Sequence, residues 1–149
     1  QIPEIKEKLV GQMKKVFFNA SVVLAGLRSP AGGSAKILSW VKKGKVEGYI
    51  SEVVLDEVLK HAIKVGLTER LVMKRLKTMS MKTSLAPERL GRKYSRMVKD
   101  LGDVHLFESA EFLKVDYLVS LDKKHVLSLA DIIKKFEIVS PGELIEKLD

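Results

Sequence analysis

Hydrophobic and polar positions follow two periods along this chain. Short apolar runs rich in β-branched and aromatic residues occur at Val16-Phe17-Phe18, from Val46 to Ile50, at Tyr117-Leu118-Val119 and at Phe136-Glu137-Ile138-Val139. Between them lie longer segments whose apolar residues return every three or four positions. The short runs read as buried strands and the longer spacing as amphipathic helix. The pattern predicts strands over about 15–19, 46–50, 116–120 and 136–139. Strands that alternate with helices predict a single α/β domain, with a parallel sheet of four or five strands covered by helices on both faces.

The helices carry start and stop signals. Ser21 to Leu27 reads as helix and Arg28 to Gly33 as loop. Ser34 is the expected N-cap of a helix with Ile37, Leu38 and Val41 inward and Gly44 as its stop. Ser51 caps a helix whose stripe is Val54, Leu55, Val58, Leu59 and Ala62, and Thr68 caps one with Leu71, Val72 and Leu76 inward. Lys82 to Ala86 is a weaker extended segment. Pro87 opens a helix carrying Leu90, Tyr94 and Met97, and Asp103 opens one with Leu106, Phe107, Ala110 and Leu113 inward. Pro141 starts the last helix. Residues 1–13 fit a short amphipathic helix packed on a domain that fills residues 14–149.

Composition narrows the class. No run approaches the roughly 18 apolar residues of a membrane span, and the first ten residues are charged throughout, unlike a signal peptide. The absence of cysteine excludes disulfides and thiolate metal sites and agrees with a cytoplasmic protein. The net charge of +8 is unevenly placed. Residues 67–99 hold 10 Lys/Arg against 2 Asp/Glu, whereas residues 100–149 hold 6 against 11. Within the basic block, Arg70, Lys74 and Lys77, and then Arg89, Arg92, Lys93 and Arg96, recur at helical spacing. Each set forms a cationic stripe opposite the apolar residues, which makes it a candidate RNA-binding face; the plainer reading is a solvated surface.

The candidate chemistry lies at strand ends, where ligands of parallel α/β sheets bind. Asn19 ends the first strand, Glu57 lies in the second turn after the second, Asp103 begins a helix, and Asp122 follows the third strand by two residues. Carboxylates gathered at one edge repel unless a cation lies between them. Oxygen donors without cysteine suit Mg²⁺ or Mn²⁺ better than zinc. Such an ion orients and deprotonates a water and offsets charge on a phosphate under attack. Each residue also has a duller reading: Asn19 as a partner for backbone groups at the strand end, Asp103 as an N-cap, Asp122 as a turn residue, and Glu57 as a solvated charge no better placed than Glu52 or Asp56. Ser21 and Ser120 are either hydrogen-bond partners behind the ligands or simple caps. His105 reads as structural or surface, and His61 and His125 fit no pattern.

Two stretches carry a resemblance. Phe17-Phe18-Asn19-Ala20-Ser21-Val22-Val23-Leu24, followed by Tyr49-Ile50-Ser51 and Leu55-Asp56-Glu57-Val58, resembles the opening half of a PIN domain. Gly102-Asp103-Val104-His105-Leu106, then Val115 through Ser120-Leu121-Asp122-Lys123-Lys124-His125, and the closing Ile138 to Leu144, are similar to its second half. The resemblance spans about Lys14 to Leu148. It implies a Mg²⁺- or Mn²⁺-dependent endoribonuclease acting on single-stranded RNA, of the kind that serves as toxin in VapBC-type toxin–antitoxin modules. RNA and an antitoxin protein are the implied partners, and a homodimer is compatible with it. The family's acidic quartet would fall on Asn19, Glu57, Asp103 and Asp122. The first of these is normally aspartate. Asparagine offers a neutral oxygen instead, which implies a naturally weakened or deliberately disarmed nuclease, or else a catalytically silent module that binds RNA or a protein. A small-molecule α/β enzyme is disfavoured because no Gly-rich phosphate loop follows the first strand.

Overall fold

The structure, a computed structural model, describes residues 13–87 and 93–149. The helix expected over 1–13 falls, but for its last residue, outside them, as do Arg89, Leu90 and Arg92. Five parallel strands form one sheet in the order β3-β2-β1-β4-β5. They are β1 (Lys14–Phe18), β2 (Val46–Ser51), β3 (Lys82–Ser84), β4 (Tyr117–Val119) and β5 (Glu137–Val139). The weak segment near Lys82 is therefore the fifth strand, an edge strand only three residues long. β1 lies at the centre, with Phe17 opposite Tyr49 of β2 and Leu118 of β4. Val16, Phe17 and Phe18 are fully buried, as a strand covered on both faces requires.

The helices are α1 (Ala20–Arg28), α2 (Gly33–Lys43), α3 (Glu52–Lys64), α4 (Glu69–Thr78), α5 (Lys93–Met97), α6 (Val104–Phe112) and α7 (Pro141–Leu148). Ser51 and Thr68 cap α3 and α4 through their hydroxyls, as their positions predict, and Ser140 caps α7 with Pro141 as its first residue. Ser34 does not cap α2. The carbonyl of Gly32 already accepts the Lys36 N–H at 3.1 Å, so the helix closes two residues earlier and Ser34 turns into the interior. Leu71 is likewise not inward: Val72 and Leu76, four apart, define the buried face of α4, and Leu71 sits about 100° away from it. Met97, on the margin of the α5 face that Tyr94 anchors, stays partly exposed. Among the described residues no helix is long and apolar enough to cross a membrane.

Candidate active site

Parallel strands deliver their carboxyl ends to one edge, and the short connections after β1 and β4 meet there. The Asn19 N–H donates to the Val119 carbonyl at 3.0 Å, which locks the end of β1 to the end of β4. Asn19 is 8% exposed and its carboxamide is engaged at both ends. Oδ1 accepts the Ala20 N–H at 2.8 Å at the start of α1, and Nδ2 donates to the Ser120 hydroxyl at 2.8 Å. The same Ser120 oxygen accepts the Asp122 N–H at 3.0 Å. Ser21 Oγ accepts the Leu121 N–H at 3.3 Å. Both serines thus hold the loop that carries Asp122 against the first turn of α1. Asn19 is thereby tied to the Asp122 loop through the shared Ser120 hydroxyl.

The duller readings divide. Asp103 ends a single 3-10 turn, Leu101–Asp103, and makes no side-chain cap on α6; Asp100 caps that turn instead, accepting the Gly102 N–H at 2.9 Å. The Asp103 carboxylate is left half-buried beside Asp122 and His125, a cluster hereafter called the cleft. Asp122 is a turn residue as well as a cleft residue, because its Oδ1 accepts the His125 N–H at 3.0 Å. Of the three acids on α3, Asp56 pairs with Lys60 at 2.9 Å on the surface, and Glu52 accepts the Ala86 N–H at 3.4 Å. Glu57 is the one turned toward α6, where its Oε1 lies 3.2 Å from His105 Nε2.

Electrostatics join these groups. The Asp103 carboxyl is pushed above its usual range, first by burial and then by the negative charges of Asp100, Asp122 and Glu57, with His105 acting in the opposite sense. Glu57, Asp103 and Asp122, far apart in sequence, therefore share one field. One ligand atom each of Asp103, Asp122 and His125 lies within 4.8 Å of the others. Glu57 stands outside that group, paired with His105. Among the described residues, the buried His105 Nδ1 has no hydrogen-bond partner. With the ring hydrogen on Nε2 donating to Glu57, Nδ1 is a bare acceptor, which is cheaper to leave unmatched than a buried N–H. Two carboxylates and an imidazole that converge, one carboxylate with its ionised form disfavoured, fit a hard or borderline divalent cation.

His105 and His125 were not legible as site residues from the sequence. For His125 the signals were its position three residues after Asp122, a spacing shared by many solvated pairs, and its place at the end of a stretch that resembles a PIN domain.

The basic residues lie elsewhere. Arg70, Lys74 and Lys77 are exposed along α4, as their spacing predicts. The neighbouring Arg75 reaches back to the Leu27 carbonyl at 3.1 Å, near the end of α1 opposite to Asn19. A helix of nine residues separates that contact from the cleft by roughly 12 Å. Lys93 is committed to Glu111 at 2.8 Å, where the Tyr94 hydroxyl also donates, so it fastens α5 to α6. Arg96 is exposed.

The sequence profile of the PIN domain matches residues 15–124. No curated protein sequence matches the chain. Among solved structures, that of VapBC2 from Rickettsia felis bound to a promoter DNA fragment superposes with a TM-score of 0.60 at 12% identity, covering 85% of this chain and 98% of that one. The sarcin–ricin-loop-cleaving toxin VapC20 of Mycobacterium tuberculosis gives a TM-score of 0.54 at 12% identity, covering 82% and 98%. At such identities the likeness speaks for the fold.

Proposed function

The chain belongs to the PIN-domain family, and from that premise we propose that it is a divalent-metal-dependent endoribonuclease of the toxin type, weakened at Asn19. The observation that carries this reading is the convergence of the Asp103 and Asp122 carboxylates, each offering an oxygen within 4.8 Å of the other, with Glu57 turned to the neighbouring His105. Asp103 and Asp122 would hold the ion, Mg²⁺ or Mn²⁺, with Glu57 beside it. A bound ion supplies an activated water and charge compensation for the attacked phosphate. Burial of Asp103 favours taking up a cation over leaving the carboxylate bare. Ser21 and Ser120 hold the Asp122 loop in place. Arg70, Lys74 and Lys77, with Arg96, are the proposed RNA contacts; a strand in the cleft meets α4 only after running along α1. An antitoxin protein is the proposed partner.

One observation favours a second reading, a silent binding module. The Asn19 carboxamide is hydrogen-bonded to Ala20 through Oδ1 and to Ser120 through Nδ2, and it adds no negative charge beside Asp122. Asn19→Asp separates the two. The Ser120 hydroxyl now accepts from Asn19 and from Asp122; facing an aspartate, its own hydrogen turns to donate to the new carboxylate while it still accepts from Asp122. The fold is therefore expected to tolerate the change. The measurement compares cleavage of single-stranded RNA by the two proteins with Mn²⁺ and with chelator, using Asp103→Asn as control. The expected result is chelator-sensitive cleavage that rises well above the parent in Asn19→Asp and vanishes in Asp103→Asn. If Asn19→Asp gains neither metal affinity nor chelator-sensitive cleavage, the silent module is the better reading.

A further inference from the structure

The acidic residues alone do not account for the donor set in the cleft. We propose that His125 faces the metal in this chain, and that its imidazole joins the Asp103 and Asp122 carboxylates in a mixed nitrogen–oxygen site that takes Mn²⁺ in preference to Mg²⁺. The inference rests on the reading of the cleft as a metal centre given above. His125 Nδ1 lies 3.3 Å from Asp122 Oδ2. Neighbouring ligands of an octahedral ion at about 2.1–2.2 Å stand roughly 3 Å apart, so this pair is already spaced to share one ion. The His125 N–H bond to Asp122 Oδ1 fixes the turn and leaves Oδ2 and the ring on the same side. Both side chains are about one-third exposed, so an ion reaches them from solvent.

The chemistry then follows from donor type. Mg²⁺ favours an all-oxygen shell and keeps its waters, whereas imidazole adds affinity for Mn²⁺ and the later first-row divalent ions. Asn19, which follows β1, is neutral, so the end of that strand contributes no anionic donor. His125 enters from the other side of Asp122 and supplies a third donor from within one turn. The competing account is a plain hydrogen bond between His125 and Asp122, which would leave the ring off the ion.

The test uses the full chain and the metals alone. Mn²⁺ binding is followed by the spin resonance of the free ion and Mg²⁺ binding by calorimetry, for the parent, His125→Gln, His105→Gln and Asp103→Asn. Spin-echo spectra of the Mn²⁺-loaded parent should show coupling to an imidazole nitrogen. That coupling should disappear in His125→Gln and persist in His105→Gln. His125→Gln should lower Mn²⁺ affinity by at least about tenfold, the low end of what losing even a supporting residue costs, and leave Mg²⁺ affinity unchanged. Bound Mn²⁺ without nitrogen coupling in the parent overturns the assignment, and that measurement needs no variant to fold. Coupling lost in His105→Gln but kept in His125→Gln also overturns it, as does an equal loss of both ions. If Mn²⁺ binds in an Asp103-dependent way without nitrogen coupling, the metal centre stands and His125 alone is removed from it. If the parent binds neither ion, both readings fall.

Discussion

The carboxylate cleft and the basic helix α4 differ in sign of charge and in how the chain builds them. Arg70, Lys74 and Lys77 share a face because they share a helix; eight residues of local sequence make that stripe, and it lies in solvent. Glu57 lies on α3, and Asp103 and Asp122 lie in two connections further along the chain; only the fold brings them near one another. Exposed charge in α4 costs little to place. In the cleft, burial and mutual repulsion raise Asp103, so the charge there works against the fold that assembles it. Strained electrostatics of this kind mark a functional site more often than a solvated stripe does.

The comparison breaks most completely at the sheet itself. Phe17 is fully buried at the centre of β1, and Phe17→Ala should destabilise the domain by about 3–5 kcal/mol. Chemical denaturation should show this loss together with loss of metal binding, because the strand ends would no longer be held together. Survival of metal binding in a destabilised protein would mean that the cleft assembles without β1.

A smaller effect is expected one layer out. Ser120→Ala deprives the Asn19 amide and the Asp122 N–H of a buried acceptor and should cost about 1–3 kcal/mol. It should also weaken metal binding by loosening the Asp122 loop, which calorimetry would register. On the other side of the comparison, Arg70→Glu, Lys74→Glu and Lys77→Glu together should leave the melting temperature nearly unchanged, since all three side chains are exposed. The slope of RNA affinity against salt should fall by about 2 if these residues neutralise phosphates on a single strand. An unchanged slope would return α4 to the role of solvated surface.

The smallest effect carries the clearest sign. Because the Asp103 carboxyl is raised in the folded protein, its ionised form is disfavoured there. It therefore subtracts stability at pH values above the raised value and subtracts none below the ordinary value of 3.8, where folded and unfolded forms are both protonated. Metal-free Asp103→Asn should accordingly melt higher than the parent at pH 7, by roughly 1–2 °C after allowance for solvent screening. The gain should shrink steadily as pH falls. A lower melting temperature at pH 7 would show that Asp103 is held by contacts that outweigh its burial.

The sequence determined the alternation of β1, β2, β4 and β5 with amphipathic helices, because periods of two kinds, the caps at Ser51 and Thr68 and the Pro141 start are local properties of the chain. It also placed Asn19, Asp103 and Asp122 at element ends, and the resemblance chose Glu57 over its neighbours. Only the tertiary structure gave the physical reason for that choice: Asp56 turns to Lys60, and Glu57 turns to His105. Only the tertiary structure released Asp103 from capping and put His125 beside it. It decided as well that α4 contacts the far end of α1 and that Lys93 serves Glu111. The division has one cause. Backbone hydrogen bonds and side-chain periodicity act over a few residues and can be read from spacing, whereas the partner of a side chain is set by packing between segments about 100 residues apart, as between Asn19 and Ser120.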